Sequence, residues 1–223
     1  MNSPEEFPDQ KFTHTITAEF IQRAPTEPPK VENPEVQLER IRAMTKGGEK
    51  ALQLTKNQLV CNFIRLGQDY PGFSKLNNTA IDLLQRFSDV RGIERVDYAA
   101  IHYVDEIRIP FLDSESVDLT HYFTLGVEPP VDPFGNIVGF QIRTQLQPED
   151  GTGPLEIQLK LDRPDRADRA LKFRMDWHKW CPYDQAFDAA QLTEILNQGH
   201  ESVMKCFRAS FTEKAWQLFE PQG

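Results

Sequence analysis

The sequence predicts an α+β protein: an antiparallel sheet of about seven or eight strands with helices on one face, made of two pseudo-repeated halves. Three observations predict it. Gln37–Ala43, Ala51–Thr55 and Leu59–Arg65 read as a three-strand meander followed by an amphipathic helix at Phe73–Arg86. Val138–Leu146, Leu155–Leu161 and Leu171–Trp177 repeat that order before a helix at Asp188–Phe207. The third observation is length: 223 residues suit one domain, able to bury roughly 70% of its unfolded surface without staples.

Taken in order, Met1–Lys11 reads as a disordered lead-in and 12–223 as a single domain. Phe12–Ile21 alternates Ile16, Ala18 and Phe20 against Thr15, Thr17 and Glu19, the period of a half-buried strand. Pro25, Pro28, Pro29 and Pro34 make 23–34 an extended linker, because proline lacks the amide donor that helix interiors and central strands need. Val36–Met44 fits two patterns: Leu38, Ile41 and Met44 have helical spacing, yet Lys46-Gly47-Gly48 is a turn leading into the alternating Ala51, Gln53 and Thr55. We read strand, since a helix would leave the next two strands without a neighbour. Tyr70-Pro71-Gly72 then turns the chain into a helix whose Phe73, Leu76, Ala80, Leu83, Leu84 and Phe87 form one stripe.

Tyr98–Ile109 is apolar on both faces in its middle and ends at Pro110, which predicts a central strand. Leu119–Leu125 predicts a short helix, and Gln147–Gly153 and Asp162–Asp168 the loops of the second meander. Leu192, Ile195, Leu196, Gly199, Val203, Cys206 and Phe207 line one face of the last long helix. Ser210-Phe211-Thr212-Glu213 has the spacing of a capping box, with Ser210 as cap, and should start a short helix carrying Ala215, Trp216 and Phe219 towards the core.

Lys and Arg number 25 against 34 Asp and Glu, a net charge of −9. Such a surface repels phosphate backbones, so nucleic acid is not an expected partner. No stretch approaches the ~20 apolar residues of a membrane span, and Met1–Gln10 is polar rather than a signal peptide. Cys61, Cys181 and Cys206 are odd in number and widely spaced, which argues for a reducing cytoplasm over a disulfide framework.

Few residues suggest chemistry. Asp105 shares a strand face with Ile101, Tyr103, Ile107 and Ile109, where a carboxylate would have a raised pKa and the makings of a general acid or base. It is the one weak catalytic candidate, since no second group sits at fixed spacing, and a neighbour satisfying it is the plainer reading. His178 and Cys181 have the gap of a metal half-site, but no second pair completes a tetrahedral set, so no metal is expected. Trp180, Tyr183 and His178 read instead as a partner-binding cluster beyond the core-facing Trp177. The run Asp162–Arg169, with Lys172 and Arg174, alternates acid and base and neutralises itself as a solvated hairpin tip. His14, His102, His121 and His200 fit no triad, and no P-loop, Gly-x-Gly-x-x-Gly or His-Glu-x-x-His occurs, so no cofactor is expected. The functional expectation is a non-enzymatic adaptor working through a protein partner. The alternative is a small-ligand domain or enzyme with a pocket between the sheet and the C-terminal helix.

Three short motifs carry a family resemblance. Leu52-Gln53-Leu54-Thr55 with Leu59-Val60-Cys61-Asn62 and Tyr70-Pro71, then Tyr103-Val104-Asp105 leading to Ile109-Pro110, then Phe211-Thr212-Glu213-Lys214-Ala215 with Phe219, resemble the signatures of a sporadically distributed bacterial family of uncharacterised proteins. The resemblance covers roughly Val36 to Phe219. The chain departs from it in having a Pro-rich linker where the family usually has a helix, and Asp105 where the family tends to have Asn. The family lends no catalytic residues; its patchy occurrence implies defence or mobile-element neighbourhoods, by association.

Overall fold

The computed structural model describes residues 9–21, 30–64, 72–110, 117–126, 139–149, 151–161 and 169–219, with side chains described from residue 40 onward. It is α+β. The chain divides into two compact units, Met1–Ile93 and Glu94–Gly223.

The first unit holds β1 (Asp9–Ile21), β2 (Lys30–Met44), β3 (Lys50–Leu54), β4 (Leu59–Phe63) and α1 (Phe73–Arg91), with the strands in the order β1-β2-β3-β4. β1 starts within the expected lead-in, and β2 takes in the end of the expected linker. The strand reading of Val36–Met44 agrees with β2. The β1–β2 ladder loses register between Glu32 and Glu35, which accommodates Pro34 where no amide donor is available. Gly48, at φ 78, allows the tight turn from β2 to β3, in which Thr45 N–H donates to Lys50 O at 3.1 Å. Ala43, Ala51 and Leu83 are this unit's buried apolar side chains among the described residues, with α1 packed beside β4. α1 ends at left-handed Gly92, whose N–H donates to Ser88 O at 2.7 Å.

The second unit holds β5 (Arg95–Pro110), a 3-10 turn at Leu119–His121, β6 (Gln141–Leu146), β7 (Leu155–Leu161), β8 (Ala170–Ala186), α2 (Ala189–Ala209) and α3 (Glu213–Phe219). Its strand order is β5-β8-β7-β6. The expected single sheet of seven or eight strands is therefore two antiparallel sheets. The expectation needed Tyr98–Ile109 to lie centrally and join both meanders, but β5 is an edge strand, paired with β8 along almost its whole length. Nor is β5 apolar on both faces: His102, Glu106 and Arg108 are polar and exposed, and Val104 is 51% exposed, so one face of β5 meets water.

Strict alternation along β7 and β8 builds the core. Leu155, Ile157, Leu159, Phe173, Met175 and Trp177 are each at most 3% exposed. α2 lies on β8 and β5 and buries Leu192 and Val203. Ile195, Leu196 and Phe207, expected in the same core, are half-buried. Phe207, Phe211 and Trp216 meet edge to face, with ring centroids 5.0–5.9 Å apart, and Phe211 also meets Phe123. The expected cap is shifted by two residues. Ser210 closes α2, its N–H and Oγ both donating to Cys206 O, while Thr212 Oγ1 accepts from Ala215 N–H at the start of α3.

Candidate functional site

Consecutive even-numbered residues of β8 point away from α2 and its core, and there the rings form a ladder. His178 and Trp180 are two residues apart on one strand face, and stack with centroids 4.0 Å apart at 12°. His102 stands directly opposite His178 on β5 and extends the stack, at 5.6 Å and 27°. Two of the three expected contact residues, Trp180 and His178, are thus brought together, both half-buried. His102 joins them, which its position in the sequence did not reveal because pairing of β5 with β8 is non-local.

Charges fix the ladder's flanks. Asp176 accepts two 2.8 Å hydrogen bonds from Arg174 and lies 3.2 Å from His102 Nε2. Partial burial pushes the Asp176 carboxyl up, but Arg174 and His102 outweigh it and leave it below the ordinary value. Burial pushes the His178 imidazole down, His102 adds to that, and Glu156 opposes it. Glu156 is opposite His178 on β7 and is itself held by Arg143 at 2.5 Å.

Tyr183 does not join them. Its ring points into the core at 6% exposure, and its hydroxyl accepts from Asp188 N–H at 2.8 Å while lying 3.1 Å from Ala186 O and Asp188 O. Asp188 in turn caps α2, accepting from Gln191 N–H at 2.8 Å. Tyr183 therefore ties the end of β8 to the start of α2.

Asp105 faces inward, as its neighbours predict. Its Oδ2 accepts from Trp177 Nε1 at 3.1 Å, so an indole across the strand pair satisfies it. Burial raises its pKa, the Trp177 bond works against that, and nearby Asp176 adds to the rise. Next to it on β5, the Tyr103 hydroxyl lies 2.9 Å from His200 Nδ1 on α2. No nucleophile with a base and an orienting third group is assembled around Asp105 among the described residues.

Sequence reasoning missed a buried charge. Lys179 is fully buried on the inner face, and its ammonium donates to Thr152 Oγ1 at 2.7 Å and to Gly153 O. It pins the β6–β7 turn to β8, helped by Trp180 N–H donating to Pro154 O at 3.1 Å. The only signal available was a lysine at an inward parity. Cys181, its neighbour on that face, is buried, and burial pushes its thiol up to about 11, so it is a poor nucleophile. His178 and Cys181 lie on opposite faces, which removes the half-site geometry. Among the described residues, no group of three or more His, Cys, Asp or Glu is placed to hold a metal ion. Likewise no described helix is long and apolar enough to cross a membrane. The run Asp162–Asp168 lies outside the described residues.

No family model matches the chain, and neither a curated protein nor a solved structure matches it. The described residues of the motifs that carry the family resemblance fall on or next to β3, β4, β5 and α3, where they serve as framework, while Tyr70-Pro71 lies outside the described residues.

Proposed function

We propose that the protein is a non-enzymatic binding module that acts through a protein partner, in the cytoplasm and in the bacterial defence or mobile-element setting that the resemblance implies. One observation carries this reading: the His102–His178–Trp180 ladder sits on the outer face of a well-packed sheet. Aromatic side chains held rigid at a surface are favoured anchors, because little side-chain freedom remains to be lost on association. The pocket reading has less support. A Cβ on Gly199 of α2 would come within 2.6 Å of Cys181 Sγ, so sheet and helix touch where a ligand would need space.

Each unit contains a meander followed by a helix, β2-β3-β4-α1 and β6-β7-β8-α2. We read these as two halves of common origin. A crystal structure of the chain, with β2-β3-β4-α1 superposed on β6-β7-β8-α2, tests this, and strand directions that fail to coincide would end it.

The functional reading is tested by co-purification from native lysate with wild type and Trp180→Ala. A stoichiometric protein retained by wild type and lost by the variant, with Tm moved by no more than a few degrees, is the expected result. Recovery of free monomer alone at physiological concentration would sink it.

A further inference from the structure

Each imidazole of the ladder stands beside a carboxylate that an arginine already holds. One row across the outer face places Glu156 of β7, His178 of β8 and His102 of β5 directly opposite one another. Glu156 is held by Arg143 of β6, and Asp176, 3.2 Å from His102 Nε2, is held by Arg174. The other outward neighbours of the two imidazoles carry no charge: Ala100 and Val104 on β5, Trp180 on β8, Gln158 on β7 and Gln145 on β6. Among the described residues, two guanidinium groups and two carboxylates therefore frame the pair and cancel before either ring takes a proton. The first proton makes this part of the face a net cation. The second has to be added next to it, on a ring whose centroid is 5.6 Å away. Imidazoles this close titrate as a pair, the second proton working against the first.

The stack decides what a proton does to binding. His178 lies between His102 and Trp180, so a group that packs on the ladder takes water from its imidazole. Burial already holds that ring below its ordinary 6.5, and further cover favours the uncharged form again. We propose that His102 and His178 are a proton-operated switch on the binding face: they take protons one at a time, and a partner whose apolar or aromatic group covers the ladder binds the form with His178 uncharged, so that acid releases it. The proposal rests on the binding-module reading and adds the regulation of that site. The sign follows from linkage: the ring loses its proton more readily when covered, so affinity falls as pH drops below the midpoint of the uncovered ring.

Two measurements on the full chain test this. The first is NMR titration of the His178 imidazole at low salt in wild type, His102→Phe and His102→Gln. Phenylalanine keeps a ring in the ladder and removes its charge; glutamine removes both. Both should raise the His178 midpoint by about half a pH unit, the size Coulomb's law gives for two unit charges at this spacing in bulk water, and the rise should shrink in about 1 M salt. A midpoint that stays or falls in both variants overturns the proposal. The second is retention of a protein from native lysate at about pH 7.5 and about pH 5.5, on either side of the ordinary imidazole value. Wild type should retain at least about tenfold less at the lower pH, while His178→Phe or His178→Gln retains it at both. Retention that acid leaves unchanged or strengthens overturns the switch, as does equal release from the variants or their failure to retain at the higher pH. If wild type retains no protein at either pH, the binding-module reading falls with the release step, whatever the titration shows of the pair.

Discussion

Trp177 and Trp180 are the same residue three positions apart on one strand, and parity alone separates them. Trp177 is fully buried, its indole N–H on Asp105 and its ring 5.5 Å from that of Phe207. Trp180 is half-buried on the outer face, stacked on His178. One holds the sheet to its helix; the other leaves a ring edge and part of a π-face for something else to cover. An aromatic-rich segment therefore does not declare a site, and the side of the strand on which each ring falls decides its role.

The largest effect should come from breaking the inner partner. Trp177→Ala should cost about 3–5 kcal/mol in a denaturant titration, the range for truncating a large buried aromatic, and it also removes Asp105's donor. Trp180→Ala should stay within about 0.5 kcal/mol of wild type. Comparable losses from both would erase the distinction on which the site rests.

Gly199→Ala asks how tightly the inner face is closed. Alanine gains about 1 kcal/mol of helix propensity over glycine, against about 1–3 kcal/mol for forcing a methyl into packed space. With Cys181 Sγ 2.6 Å from the new Cβ, the clash should win and the variant should melt below wild type. Adding Cys181→Ala removes the obstructing sulfur, so the double variant should be more stable than the sum of its parts by at least about 0.5 kcal/mol. Additive behaviour would mean that helix and strand stand apart here.

Local pattern made most elements legible, and non-local pairing hid the rest. The alternation of Leu155, Ile157 and Leu159, and of Phe173, Met175 and Trp177, fixed which faces are buried without any knowledge of partners. The expected strand stops at Trp177, which leaves Trp180 and Tyr183 beyond it, whereas β8 runs on to Ala186. In the fold β7 stops opposite Lys179, so at Pro182 β8 has lost its β7 neighbour and a missing N–H is tolerated. That extension is what makes Trp180 a sheet-face residue and Tyr183 a core one. The place of His102 opposite His178 depends on the β5–β8 register across some seventy residues, which no periodicity in either strand reports.

Asp105 gives a smaller, pH-dependent effect. Burial holds its carboxyl above the ordinary 3.8, so the unfolded chain gives up its proton first. Stability is therefore lost as pH rises from 3.8 through the folded value, and the loss is constant above that. Asp105→Asn keeps an oxygen for the Trp177 indole and carries no charge. It should melt above wild type at neutral pH, with the gap closing as pH falls to 3.8 and below. A variant that melts lower at neutral pH would show that the ionised carboxylate supports Trp177 beyond an amide's reach.

The smallest effect belongs to the ladder, and it is read on the imidazole of His178. Burial under the Trp180 ring is the main reason this group sits below the ordinary 6.5, with the neighbouring His102 second and Glu156 opposing both. A histidine whose folded pKa is depressed costs stability as pH falls from 6.5 through its folded value, because the unfolded chain takes the proton first. The imidazole is partly exposed, so solvent screens the effect on melting, and NMR titration of the ring is the better measurement. Its midpoint should lie below 6.5 in wild type and rise towards 6.5 in Trp180→Ala, where water regains the covered face. Glu156→Gln should move it the other way, by removing a carboxylate that favours the charged ring. A midpoint that ignores Trp180→Ala means that the two rings do not stack in solution. The outer face would then offer a flexible indole in place of a preorganised one, and the contrast between Trp180 and Trp177 would reduce to burial alone.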